Sequence, residues 1–500
     1  MSRLGAASPT PRTGAHAALA RHLGVYSVGA ILSLACSVAL LPVFATQFSA
    51  SQFGLVATAQ VVVLAAAAVA RLGINSGMFR FLAVYHARNE SNAADAIVVT
   101  CLAASIACAL VATLLMLAGL KWLGTNLPAD VQLVGVLIAL NITVSAPREM
   151  GEFAFRAKQQ SARYVLLSSA FVILSTALTA ALVVLARGGV PAVFVAPLLA
   201  NGVIGPIALF TLRRHLKLGA LSLGELKRAL RFGLPGIPAL LADWVTQYSD
   251  RFFLARFSGL DRVGVYSMGY RVGIIEQQVL GATTQAAWDP FVLSSFSTDD
   301  GPRIIGRVAT YFAVAGMALV VLISASATTV FTIIHARHEY FAATTVVFLI
   351  AFANFFGMLQ HLFSAPTSIR LRPEIGTLLR LLAAIVNTGL NILLIATFGM
   401  LGAAWATVLT FAISALVTEA VGRRLWRIAY EYRKIALIVG GGLLTQAGIQ
   451  LVEQARVAIP LGVEPVLAAV AFAAWLVLTR VVSRADLSLI RRTMSRSGAS

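Results

Sequence analysis

The chain has 500 residues, only 12% of them charged, and a mean hydropathy of +0.85, whereas an average soluble chain carries about 25% charged residues. Too few polar side chains are present to clothe a protein of this size in water, so lipid must cover much of it and a sizeable soluble domain is excluded. The net charge of +19, from 39 Lys and Arg against 20 Asp and Glu, would suggest nucleic acid in a soluble protein; in a membrane protein it asks which loops carry the excess.

Residues 1–23, with Ser8, Pro9, Pro11 and Arg12, are too polar for a secretory h-region. They are expected to form a cytoplasmic tail, with the first helix kept as an anchor. Apolar stretches then run at 24–46, 54–78, 96–118, 131–147, 164–186 and 191–212, and again at 232–255, 263–287, 308–334, 341–365, 377–397 and 400–422. A last pair lies at 435–452 and 463–482. At about 20 apolar residues per crossing these predict an all-α integral membrane protein of about fourteen transmembrane helices. The expected organisation is a six-helix bundle over 24–217, a second over 218–430, an extra helix pair over 431–483 and a cytoplasmic tail over 484–500. Cys36, Cys101 and Cys108 fall within apolar runs, where they read as packing residues without a disulfide.

Short loops rich in Lys and Arg stay in the cytoplasm. With the amino terminus inside, the inner segments hold 30 of the basic residues, among them Arg80, Arg88, Arg148, Arg156, Arg213, Arg214, Arg303, Arg370, Arg423 and Arg480. The outer loops hold 6, namely Lys121, Arg187, Arg256, Arg262, Arg337 and Arg456. Both termini are therefore expected inside, and the basic balance needs no nucleic acid. A shift of 210 positions places Arg21 on Arg231, Gly54 on Gly264, Phe81 on Phe291 and Arg213-Arg214 on Arg423-Arg424. Two tandem bundles of the same topology are the expected reading.

No nucleotide-binding G-x-x-x-x-G-K-[ST], no paired His at helical spacing with an acid and no C-x-x-C is present. Gly440, Gly441 and Gly442 sit in an apolar run and read as close helix packing. No outer loop is long enough to hold an acceptor for a membrane glycosyltransferase or ligase. Secondary transport, without catalysis, cofactor or metal, is the class these observations favour.

Ionisable groups inside a span are costly, about 2.5 to 3.5 kcal/mol each at the helix centre, and persist when paired or facing water. Asp243 stands twelve residues past Arg231, about 18 Å into the membrane, and Arg271 nine residues past Arg262, about 13 Å from the other face. Their depths nearly coincide, so a pair near the midplane is expected. Asp243, Gln247, Asp250 and Arg251 form one stripe on the seventh span, with Asp250 and Arg251 reaching the outer interface by snorkelling. Arg271, Gln278 and Gln285 recur every seven residues on the eighth, beside Glu276 and Gln277. On the second span Gln60, Arg71 and Asn75 share a face, and Arg71 with Glu276 would close an inner gate. His361 reads as a packing residue, and Phe348, Phe352, Phe355 and Phe356 as lipid or bundle contacts.

Leu230 to Pro235 (LRFGLP), Asp250 to Leu254 (DRFFL), Gly264 to Ser267 (GVYS) and Trp288 with Pro290-Phe291 resemble the polysaccharide-exporter family, which includes the O-antigen and exopolysaccharide flippases of the multidrug/oligosaccharidyl-lipid/polysaccharide (MOP) exporter superfamily. Phe53-Gly54, Leu72-Gly73 and Arg80 resemble its first-bundle counterpart. The resemblance implies a flippase for a polyprenyl-pyrophosphate-linked oligosaccharide in the bacterial inner membrane, working by alternating access and coupled to a proton or sodium ion. Polymerase and glycosyltransferases of the same polysaccharide pathway are the implied partners. Arginine suits pyrophosphate because its planar fork bonds two oxygens and stays charged when buried. Arg71 and Arg271 are accordingly expected at the headgroup, with Asn75, Asp243, Gln247, Glu276 and Gln277 reading sugar or the coupling ion. Arg80, Asp250 and Arg251 are assigned to a gate or interface. A drug antiporter and a lipid II flippase of the same superfamily are the transport alternatives, and a membrane glycosyltransferase or ligase the other.

Overall fold

The computed structural model describes residues 13–123, 128–296, 298–370, 373–455, 460 and 462–481. Among them every regular element is helical. In chain order these are α1 (Thr13–Gln47), α2 (Ala50–Ala70), α3 (Ile74–Ala87), α4 (Ser91–Leu123), α5 (Ala129–Ala157) and α6 (Ser161–Ala180). Next come α7 (Gly189–Leu212), α8 (Leu223–Gly233), α9 (Ile237–Tyr248), α10 (Asp250–Ser258), α11 (Leu260–Gly273) and α12 (Ala282–Ser295). The last are α13 (Gly301–Ile333), α14 (Thr344–Phe363), α15 (Ala365–Ile369), α16 (Pro373–Leu425), α17 (Tyr432–Gln454) and α18 (Val463–Leu478).

Ten described helices are long and apolar enough to cross a membrane. α16 is two crossings folded at Gly399, whose φ of 54° is one that glycine adopts without Cβ strain. Its halves, the shorter α18 and two interrupted stretches over 237–258 and 260–295 bring the number to the fourteen expected. The interruptions have local causes. Leu72 and Gly73 both take positive φ and part α2 from α3. A π-turn at Gln277–Gly281 joins α11 to α12, inserting an extra residue that turns the following side chains to a new face.

The chain forms two compact units, one from residues up to Leu40 with Ala66–Gly236, the other from Leu41–Ala65 with Ile237 onward. In the first, α5 packs on α4 and α7 around Ile97, Met150, Ala154 and Ala208. The amphipathic α8 starts on Ser222, whose hydroxyl accepts from the Glu225 N–H at 3.3 Å, an N-cap of ordinary type. Its Glu225, Ala229 and Gly233 are buried at four-residue spacing, one face of a helix. That face lies on α3. A Cβ on Gly73 would strike the Gly233 backbone, and one on Gly77 the Ala229 backbone. At the far end the Tyr85 hydroxyl donates to Glu225 at 2.9 Å, and Arg228 donates to both. Burial, reinforced by Glu225, raises the Tyr85 phenol above its ordinary value, so it remains a donor.

In the second unit α14 lies between α13, α16 and α11, and Phe355, Ile350, Trp288 and Met317 fill the core. Phe348 and Phe352 stack at 5.3 Å and are buried, bundle contacts rather than lipid contacts. Gly54 and Gly264 touch backbone to backbone: a Cβ on Gly54 would meet the Leu260 carbonyl, and one on Gly264 the Ala50 carbonyl. Small residues permit such approach where no hydrophobic force drives helices together. α17 and α18 pack on α13, with Gly441 against Trp475 and Gly442 against Met317. The Trp475 indole donates to the Leu437 carbonyl at 2.8 Å.

Candidate functional site

A cavity of about 270 Å³ opens in the second unit. α9 contributes Asp243 and Gln247, the π-turn Gln277, α12 Thr284 and Gln285, α14 Asn354, Gln360 and His361, and α16 Arg380 and Thr418. Glu276 lies in the same wall, wholly enclosed at 0% exposure. Neither of its carboxylate oxygens has a hydrogen-bond partner among the described residues, and the Thr284 hydroxyl and His361 Nε2 beside the cavity are likewise unsatisfied. Glu276, Thr284 and His361 thus bring unused hydrogen-bonding capacity to the cavity wall. Asp243 meets Arg380 at 3.4 Å with both side chains about half exposed, a pair that contributes little to stability and leaves both groups available.

The sequence stripe on the seventh span divides here. Asp243 and Gln247 face the cavity, whereas Asp250 and Arg251 open α10 and are buried, at 3% and 5% exposure. Asp250 accepts from the Arg251 guanidinium at 2.9 Å and from the Tyr266 hydroxyl at 2.6 Å, and Arg251 stacks over Tyr270 at 4.3 Å. The snorkelling expected for this pair is corrected: both side chains are buried against α11, whose Tyr266 and Tyr270 satisfy them inside the unit. Beside them Ser249, Asn387, Asn391 and Thr410 form a buried network with contacts of 2.9 to 3.3 Å, and one oxygen of Asn391 stays unpaired.

Arg271 does not meet Asp243. Its Nη2 donates to Gln60 at 3.0 Å and its guanidinium lies 4.8 Å over Phe44 and 5.4 Å over Phe53. Arg271 is engaged by α1 and α2, whereas Asp243 faces Arg380 of α16; the π-turn follows Arg271 and shifts Gln278 and Gln285 out of the heptad they share with it in sequence. No carboxylate neutralises Arg271 among the described residues.

In the first unit Arg71, 5% exposed, is held by Glu149 through two parallel bonds of 2.9 and 2.8 Å and donates to Ser145 at 2.8 Å. Its remaining Nη1 and the Oδ1 of the buried Asn75 have no partner. The partner expected for Arg71 was Glu276; the carboxylate that holds it is Glu149. α5 also carries Arg148, which bonds Asn201 at 2.7 Å and Glu152 at 2.5 Å. Sequence reading missed Glu149 and Glu152 because the fourth span was ended at residue 147, before the charges, whereas α5 continues to Ala157. Asn387 and Asn391, four apart in an apolar run, carried a helical-face signal that went unused. Arg380, one of the 30 basic residues expected in the inner segments, lies on α16 in the cavity wall. Among the described residues no cluster of His, Cys, Asp and Glu is arranged to hold a metal ion.

The sequence profile described as "Polysaccharide biosynthesis protein" matches residues 19–296, more than half of the chain. No curated protein sequence matches it. Among solved structures, the lipid II flippase MurJ in an inward closed conformation superposes with a TM-score of 0.70 at 10% identity, over 92% of this chain and 98% of that one. A multidrug resistance MATE family transporter of the MOP superfamily in its inward-facing conformation gives 0.64 at 17% identity, over 82% and 99%. Its outward-facing conformation gives 0.57 at 17% identity, over 84% and 96%. At such identities the likeness is one of fold. The chain is thus a multi-pass membrane protein of the polysaccharide biosynthesis protein family, with the helical fold of the MOP transporters.

Proposed function

We propose that this protein is a flippase that moves a polyprenyl-pyrophosphate-linked oligosaccharide, an O-antigen, capsule or exopolysaccharide repeat unit, across the bacterial inner membrane by alternating access. The observation that carries this reading is the cavity of the second unit, lined by the amides Gln247, Gln277, Gln285, Asn354 and Gln360 around the Asp243–Arg380 pair. Amides offer donor and acceptor together, which suits sugar hydroxyls. A site selecting a drug cation has no need of so many neutral amides or of Arg380. Membership of a polysaccharide biosynthesis family supports the same choice.

Arg271 is the better-placed headgroup ligand, since it carries an uncompensated charge and a guanidinium already oriented over two rings. Arg71 serves the headgroup only if phosphate displaces Glu149. Asp243, Gln247 and Gln277 read the sugar, and Asn75 acts beside Arg71. Glu276, enclosed without a counter-charge, is assigned to the coupling cation, a proton or sodium ion. Arg80, Asp250 and Arg251 stand apart from the sugar, the latter two as a structural pair. Both termini are placed in the cytoplasm, where glycosyltransferases supply the substrate; a polymerase on the other side consumes it. The reading contains no catalytic step.

Proteoliposomes loaded with a fluorescent lipid-linked oligosaccharide test it. Wild-type protein is expected to carry the lipid to the other leaflet in response to an imposed ion gradient, and Gln247→Leu with Gln277→Leu to slow it about tenfold, the loss of one to two hydrogen bonds to ligand. Export of a cationic dye with no movement of the sugar lipid would assign the protein to drug antiport. Transfer of labelled sugar by the purified protein would assign it to catalysis.

A further inference from the structure

The first unit holds a second cavity, of about 390 Å³, to which only Arg80, assigned above to a gate or interface, has been given a role. α3 supplies Phe79 and Arg80, α5 supplies Phe153 and Arg156, and α8 supplies Phe232. The Arg80 guanidinium lies 4.8 Å over the Phe232 ring, and that of Arg156 lies 5.8 Å from Phe79, 5.9 Å from Phe153 and 5.5 Å from Tyr164. Elsewhere among the described residues Arg71, Arg148, Arg228, Arg251, Arg380 and Arg423 each sit against a carboxylate. Arg80 and Arg156 have no such partner there, and the Glu152 carboxylate one turn from Arg156 is bonded to Arg148 instead. A guanidinium resting on a ring is attracted to the π face and keeps its in-plane N–H donors for oxygen.

We infer that this cavity is a loading subsite for the diphosphate of a prenyl lipid. The inference rests on the flippase reading and adds to it a first binding step at a place separate from the second unit's cavity. Two guanidiniums without a salt bridge among the described residues match a group carrying two or more negative charges better than the single charge of an ordinary anionic phospholipid. The phenylalanine walls suit the hydrocarbon attached to the phosphate. Loop charge assigns both arginines to the cytoplasmic side, where such a lipid is assembled.

The test is binding of a sugar-free, long-chain prenyl diphosphate to the full chain in nanodiscs, with phosphatidylglycerol and the prenyl alcohol as comparison ligands. Arg80→Gln with Arg156→Gln is expected to weaken the diphosphate at least tenfold and to leave the alcohol unchanged. Arg80→Lys with Arg156→Lys is expected to recover part of the loss, and Phe232→Leu to lower affinity with both charges retained, so a result on the Gln variant is checked by variants that keep the surface charge. Unchanged diphosphate binding in all three variants would overturn the subsite, as would an equal loss for phosphatidylglycerol, which would assign the cavity to bulk lipid. Wild-type protein that binds the diphosphate through these arginines yet never moves the glycosylated lipid would sink the flippase reading and leave the subsite standing. Wild-type transport with no effect of the arginines on binding would do the reverse.

Discussion

Glu149 and Glu276 are both carboxylates inside apolar helices, and their surroundings set opposite expectations for substitution. Glu149 grips Arg71 through two bonds, so Glu149→Gln leaves a buried guanidinium without its counter-charge and is expected to cost about 3 kcal/mol. Thermal unfolding in detergent reads the loss, and adding Arg71→Met is expected to restore part of it, because a pair replaced by neutral groups no longer strands a charge. Glu276 has nothing to strand. Glu276→Gln keeps the shape and removes only the capacity to hold a cation, so the unfolding temperature is expected to stay level or rise while transport stops responding to an imposed proton or sodium gradient. Undiminished gradient dependence in that variant would remove Glu276 from coupling.

At the scale of elements, the family-like motifs acquire a physical reason. Leu72-Gly73 and the Leu230 to Pro235 stretch lie far apart in sequence, yet Gly73, at the start of α3, touches Gly233 of α8 backbone to backbone. Phe53-Gly54 and Gly264 to Ser267 meet in the same way through Gly54 and Gly264, two positions that the 210-residue repeat makes equivalent. In each pair a side chain would have to push one helix off the other. Gly233→Val and Gly264→Val are therefore expected to destabilise by about 2 kcal/mol or more, in the range of overpacked cores, with Gly236→Ala, which has open space around it, nearly neutral. Expression level and the detergent unfolding temperature separate the cases. A Gly264→Val protein as stable as wild type would mean that this contact does not hold the helices.

For the whole molecule, the loop charges make a topological prediction. Single cysteines placed at Asn89 and Gln159, in a chain whose Cys36, Cys101 and Cys108 are replaced by Ala, are expected to react with a membrane-impermeant thiol reagent only from the cytoplasmic side. Cysteines at Gly188 and His335 are expected to react only from the other. Asn89, Gln159 and His335 all occupy positive-φ turn positions between helices, so the label reports loops. Reaction of Asn89 and Gly188 from the same side would overturn the arrangement.

Composition alone determined that this protein lives in lipid and is helical, because a chain with so few charges can satisfy its backbone in hydrocarbon only by helices or closed barrels, and its long unbroken apolar runs are those of helices. The LRFGLP, DRFFL and GVYS motifs point to the family on their own. Apolar periodicity could not reveal the breaks at Leu72-Gly73, Ser249 and Gln277–Gly281, since the residues flanking each are compatible with a continuous helix. Tertiary packing decides the site: it sets Arg271 against Gln60, Phe44 and Phe53, joins Asp250 and Arg251 to Tyr266 and Tyr270, and leaves Asp243, Gln247, Glu276 and Gln277 around one cavity. Which charge answers which is fixed by three-dimensional proximity, and Glu149 with Arg71 shows why. Seventy-eight residues separate them in the chain, a distance over which sequence pattern carries no information about contact, whereas the packing of α5 beside the end of α2 brings them within a hydrogen bond.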